Sequence, residues 1–343
     1  MTGSNDRYRL IGTNGSPYSV KMRAILRYRR LAFDWVLRTE SNRAETEGVR
    51  PAVIPVLRFP EDGNYRSDST VLAYALEDLH PGQRSIMPSD PGHAFLSHLI
   101  EDMADEWGTK IMFLYRWRRP VDIDYAQYWI ADDVFPDRKG EARKAVAAEF
   151  AERQIGRMAM VGCTEENAPA IEASYLRILD AVEPHFGMHD FLFGSRPALG
   201  DFGLYGQLKP LSEDPTGQAV MRERAQRTES WVRQLDDASG LEVGPEEGAW
   251  LPTDALLPKA TLDLLRLAGE LYLPFLSANA AALEAGRKQV ELTVFGQTYA
   301  QSPFGYQAKC YAEIKRRLAA LEGEPLARVR GVLDETGCGE WLS

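Results

Sequence analysis

The sequence predicts an α/β domain of order βαβ–ββα, then an all-α domain, then a mostly helical C-terminal extension. Three observations lead there. The first 80 residues alternate short apolar runs with one amphipathic stretch and with turn chemistry. Beyond residue 92 apolar residues recur at helical spacing between loops rich in Gly, Pro and Asp. The length, 343 residues, exceeds one ordinary core. Boundaries are expected at 7–83, 93–240 and 241–343, with the last segment packed on the all-α domain.

Each element has its own signal. Residues 8–12 are short and apolar enough for a strand, and Thr13-Asn14-Gly15-Ser16-Pro17 is a turn. From 18 to about 30, Val20, Met22, Ala24, Ile25 and Leu26 mark a buried helix face, with Arg23, Arg27, Arg29 and Arg30 on its wet side. Residues 33–37 read as a second strand, and the polar stretch 39–50 has weak helical potential. Residues 53–57 (VIPVL) form a third strand interrupted by proline, and 61–64 a hairpin turn. A short fourth strand starts at Tyr65, and a helix spans 70–79. After a linker around 81–92, helices are expected at 93–117, 141–160, 170–182, 199–208 and 220–235. A Gly- and Pro-rich break, 240–258, precedes a helix at 261–285, a strand at 291–295 and a helix at about 306–321.

Composition limits the function. Forty basic against fifty acidic residues give a net charge of −10, which excludes a general nucleic-acid binder. No run approaches the ~18 consecutive apolar residues of a membrane span. The opening MTGSNDRYRL has no apolar signal core, so a cytoplasmic location is expected. Cys163, Cys310 and Cys338 lie far apart and read as free thiols of a reducing compartment. His185 and His189, with no cysteine or third histidine close in sequence, point to no metal site.

Three features bear on chemistry. Ser16, directly before Pro17, is a natural helix N-cap; the same helix end also favours an anion and would lower the pKa of a thiol held there. Pro55 either marks an edge strand with a trans bond or a cis bond that exposes the backbone of Ile54 to an extended peptide. Asp68 and Ser69 either cap the next helix or receive the ammonium and carboxylate of an amino acid. Asp105 and Glu106 point about 100° apart on a helix and do not make an acid–base pair.

In order and spacing, SPYSVKMRAILRY, VIPVL and RSDSTVLAYALE resemble the helix-1, cis-proline and γ-glutamyl-binding motifs of the glutathione S-transferase superfamily, and ALGDFGLYGQL resembles its second-domain core helix. The resemblance covers roughly residues 8–240 and implies a thioredoxin-like N-terminal domain, a homodimer, and glutathione as cosubstrate. It implies that Ser16 steadies the glutathione thiolate, with Ser19 as second candidate. Ile54 then pairs with the cysteinyl backbone beside cis-Pro55, Asp68 and Ser69 hold the γ-glutamyl end, and Asp201 belongs to the second-domain folding motif. Arg43 and Arg50 are either partners of the glycyl carboxylate or solvated charges.

The implied reaction is attack of the sulfur on a small apolar electrophile, held near the aromatic stripe Trp107, Met112, Phe113, Tyr115 and Trp117. The alternatives are a non-catalytic glutathione-binding or assembly protein, or a glutathione-dependent etherase, dehalogenase or isomerase. Serine rather than cysteine at 16 and 19 argues against protein-thiol exchange. Ala198, lacking a side-chain acceptor, leaves half a capping box missing, at a cost of about 1 kcal/mol.

Overall fold

A computed structural model describes residues 6–244 and 249–342. β1 (Tyr8–Gly12) and β2 (Phe33–Leu37) pair in parallel, from Tyr8 against Phe33 to Gly12 against Leu37. A parallel pair needs a crossover, and α1 (Pro17–Tyr28) supplies it. β3 (Val56–Arg58) runs antiparallel to β1, and β4 (Tyr65–Ser67) antiparallel to β3, giving the order β2-β1-β3-β4. α2 (Ser69–Leu79) follows. The fold is the expected one: a thioredoxin-like domain, then helices, then a mostly helical extension.

The third strand is shorter than expected and starts at Val56 rather than residue 53. Pro51 and Pro55 lack the N–H that a ladder needs, and both follow cis bonds. The expected wet side of α1 is also corrected. Arg29 is fully buried because its guanidinium donates to Glu77 (2.7 Å) and to the carbonyl of His80 (2.7 Å). Arg23 and Arg27 meet Asp236 at 3.2 and 3.1 Å, so this side of α1 docks on the helical domain.

The register fixes where the loops emerge. Ile11 lies opposite Val56, and Val56 opposite Ser67. The end of β1, the start of β3 and the end of β4 therefore share one end of the sheet. The Ser16 turn, Ile54-Pro55 and Asp68-Ser69 all leave from that end.

The helix expected at 93–117 is α3 (Pro91–Met103), one π-turn (Ala104–Gly108) and α4 (Thr109–Arg118). α5 (Pro120–Val134), unforeseen, buries only Asp122, Ala126, Ile130 and Ala131, a narrow stripe within an acidic stretch. α6 (Gly140–Ile155), α7 (Ala168–Val182), α8 (Leu199–Leu211), α9 (Pro215–Arg224) and α10 (Gln226–Asp236) complete this part. At the start of α8, Asp201 accepts the N–H groups of Ala198 (2.9 Å) and Leu192 (3.1 Å). The cap that Ala198 cannot supply is offset from another helix: Ser97 Oγ accepts the N–H of Gly200 at 2.9 Å.

The extension holds α11 (Lys259–Leu267), a π-turn (Ala268–Tyr272) and α12 (Leu273–Glu284). A hairpin of β5 (Val290–Val294) and β6 (Gln297–Gln301) precedes α13 (Gly305–Ala319), α14 (Gly323–Glu335) and α15 (Gly339–Leu342). α11 packs on α7 and α14 on α3. The extension also touches the first domain, where Arg317 lies 4.0 Å from the Tyr74 ring. No described helix is long and apolar enough to cross a membrane.

Candidate functional site

Ser16 is the N-cap of α1. It is extended (φ −94°, ψ 119°), half-buried, and its Oγ accepts the N–H of Ser19 at 3.3 Å. Because Oγ is the acceptor in that bond, the hydroxyl hydrogen remains to be donated elsewhere. Pro17 has no N–H, and the N–H of Tyr18 has no intrahelical partner, so the first turn presents a positive end.

The turn before Ser16 is held by the helical domain. Asp133 of α5 accepts the N–H of Asn14 at 2.8 Å and its Nδ2 at 3.2 Å. Arg116 of α4 donates to the carbonyl of Gly15 at 2.7 Å while paired to Asp214 at 2.7 Å. A Cβ at Gly15 would sit 3.0 Å from Ile130, so glycine allows this approach. Sequence reading missed Asp133 and Arg116, which no motif marks.

Asp68 caps α2 with its backbone at φ +80°, a conformation that costs of order 1 kcal/mol outside glycine. Its Oδ1 accepts the N–H of Val71 at 3.4 Å. The Ile54–Pro55 bond is cis, and half-buried Ile54 lies outside the ladder. Residues 10–84 match the family model described as glutathione S-transferase, N-terminal domain. This domain belongs to the glutathione S-transferase superfamily.

Three solved structures are similar at low identity. A β-etherase from Sphingobium sp. strain SYK-6 is 19% identical, covering 67% of this chain and 94% of its own, at a TM-score of 0.48. A glutathione transferase from Phanerochaete chrysosporium is 17% identical over 69% and 98%, at 0.47. A glutathione S-transferase from Methylobacillus flagellatus KT, solved with glutathione bound, is 17% identical over 68% and 96%, at 0.40. No curated protein matches the sequence.

Not every candidate residue of this transferase-type domain faces the sheet end equally. Ser19 is fully buried, with its Oγ near the N–H of Thr13 (3.4 Å), and a Cβ on Gly12 would clash with it. That enclosure removes Ser19 as a second thiolate donor. Ser69 is buried too, and its hydroxyl meets Asp105 (3.4 Å) and Lys21 (3.5 Å). Arg43 and Arg50 are exposed, and Arg50 donates to the carbonyls of Glu47 (2.9 Å) and Val49 (2.8 Å) in its own loop. The aromatic stripe is core: Trp107, Met112, Tyr115 and Trp117 are buried and only Phe113 is partly open. The expected electrophile contact with that stripe is therefore corrected.

Behind Ser69 lies a buried ionic cluster joining the two domains. Lys21 donates to Glu101 and, at 2.6 Å, to Asp105. Thr70 also donates to Glu101, at 2.6 Å. Burial opposes charge on Lys21, but Asp105 and Glu101 outweigh it and raise its pKa. Glu101, despite burial, is held ionised by Lys21. Asp105 is pushed up to about 7, by burial first and then by neighbouring carboxylates. Glu106 also rises to about 7 through burial, offset by Lys110 and by Gln307 of α13. Asp102 is raised by burial and accepts the Tyr272 hydroxyl at 2.8 Å. Burial first, and then the nearby Asp102 and Glu106, raise the thiol pKa of Cys310 in α13, which disfavours a thiolate there.

Proposed function

We propose that this protein is a glutathione transferase that holds the glutathione thiolate at the start of α1. The observation that supports it most is Ser16: an N-cap whose oxygen already accepts from Ser19, so its hydrogen is available to an anion beside a positive helix end. Ile54 offers its backbone to the cysteinyl unit, Asp68 receives the γ-glutamyl ammonium, and the N-terminus of α2 receives the γ-glutamyl carboxylate. The buried Ser69 hydroxyl acts behind that helix end, through the Lys21 cluster.

In the reaction the sulfur lone pair forms a C–S bond to the electrophilic carbon, and the leaving group departs with the electrons of its broken bond. Ser16 is neither base nor nucleophile; its hydrogen bond stabilises the thiolate before attack. The apolar electrophile lies against α5, where Ile130 abuts Gly15 and half-buried Trp129 lies 5.4 Å from the Arg116 guanidinium.

Ser16→Ala tests this directly. A hydrogen bond to a charged group is worth about 1.5–3 kcal/mol, so turnover of a nitro-activated aryl halide should fall about 10- to 100-fold. Glutathione affinity should change by only a few-fold, and the ultraviolet absorbance of bound thiolate should appear at higher pH. Full turnover by Ser16→Ala would remove the assignment.

A further inference from the structure

Asp68 has both carboxylate oxygens engaged by the chain itself. Oδ1 takes the N–H of Val71, and Oδ2 accepts the hydroxyl of Tyr306 at 2.8 Å, from the first turn of α13. That turn is firmly positioned. The fully buried Asn279 of α12 accepts the N–H of Phe304 at 2.8 Å and donates to its carbonyl at 3.0 Å. One residue past Tyr306, buried Gln307 accepts from Gln301 Nε2 of β6 at 3.3 Å. Tyr306 itself keeps 37% of its surface open, so its ring can turn into solvent while α13 stays in place.

We propose that Tyr306 is a built-in competitor at the amino-acid end of the glutathione site: its hydroxyl rests on the Asp68 oxygen that would receive the ligand's ammonium, and the ligand must displace it. The proposal rests on the reading of Asp68 given above. A phenol offers one neutral donor, whereas an ammonium offers three donors and a full charge, so the ligand prevails once present. Without ligand the tyrosine satisfies the carboxylate. Apparent affinity is lowered by the fraction of molecules in which Tyr306 is seated. A thiol whose amino group is acylated gains no ion pair on displacing the phenol, so the contact also selects for a free amino end.

The test is calorimetric titration of S-methylglutathione, which cannot react, into the full chain. Tyr306→Phe, which removes one hydroxyl from a partly open ring, should bind about 3- to 10-fold more tightly than the parent. Tyr306→Ala should shift the same way, and serves if the phenylalanine variant folds poorly. Asp68→Ala should bind more weakly, and in that background Tyr306→Phe should change nothing. Equal affinity of the parent and Tyr306→Phe would overturn the competitor while leaving the glutathione site intact. Weaker binding by Tyr306→Phe would overturn it too and make the phenol a ligand contact. Absence of binding by every form would remove the reading of the site, and this proposal with it.

Discussion

Lys21 and Lys110 are both buried, one packed against the stretch from Glu101 to Lys110 and the other part of it, in different surroundings. Lys21 comes from the first domain and is enclosed by Glu101 and Asp105. Lys110 is only 1% exposed, and it faces the extension. It donates to the carbonyl of Val161 (3.0 Å) and to Gln301 Oε1 (2.8 Å), with the rings of Phe275 and Trp107 at 4.9 and 5.8 Å. Burial therefore pushes its pKa down to about 8. The difference shows how one helical segment holds two neighbours. The first domain is docked through a buried ion cluster, which needs its anions. Around Lys110 the direct partners are neutral acceptors and rings, with the nearby Glu106 favouring its charge, so a cation there is tolerated but not required.

The largest expected effect comes from breaking the ionic side. Lys21→Met leaves Glu101 and Asp105 buried without their cation, and removing one partner of a buried pair costs about 3–5 kcal/mol. Thermal and urea unfolding at neutral pH measure it. A loss below about 1 kcal/mol would erase the contrast, because the cluster would then be no more demanding than the neutral side.

The next effect lies on the extension side and depends on pH. In the unfolded chain Lys110 keeps its proton up to its ordinary pKa of 10.5, while in the folded chain it loses it near 8. Between these values the unfolded state binds more protons, so stability rises with pH across that window. The full shift corresponds to at most about 3 kcal/mol. Lys110→Met removes the titrating group, so the stability of the parent relative to this variant should climb from pH 8 to 10.5. A flat difference would mean that Lys110 keeps its charge when folded.

How much of this could be read from the sequence differs between the same two regions. In the first domain, turn chemistry, Pro17, Pro55 and the Asp68-Ser69 pair announce their places, because caps and turns are local interactions. Strand register then brings those loops to one end of the sheet. The extension was legible only as helices and one strand. β6 (Gln297–Gln301) is a polar run with no strand alternation, whereas α14 carries Leu326, Val329 and Leu333 at helical spacing, a signal the sequence reading passed over. The Tyr306–Asp68 contact joins residues 238 positions apart, and no spacing rule reaches that far. The same holds within the helical domain, where Arg116, Asp133 and Ser97 act on backbone groups far along the chain. Ser19 and Ser69 show the converse limit: each stands in a motif, yet which side of a helix faces inward is decided by packing.

The smallest effect sharpens the comparison at the edge of the ionic interface, where Asp133 holds the Ser16 turn. Its carboxylate is half-buried and accepts from both the backbone and the side chain of Asn14. Asp133→Ala removes two bonds at a partly wet site, and each bond to a charged group contributes less there than in the core. A loss of about 1–2 kcal/mol is expected, below that of Lys21→Met. The variant also separates anchoring from binding. If the turn only carries Ser16, freeing Asn14 should lower kcat several-fold while S-methylglutathione binds as before, because Ile54 and Asp68 stand on other elements. A parallel loss of affinity would instead mean that the turn itself shapes the tripeptide site. Unchanged stability and turnover would show that Arg116, through the carbonyl of Gly15, holds the turn alone.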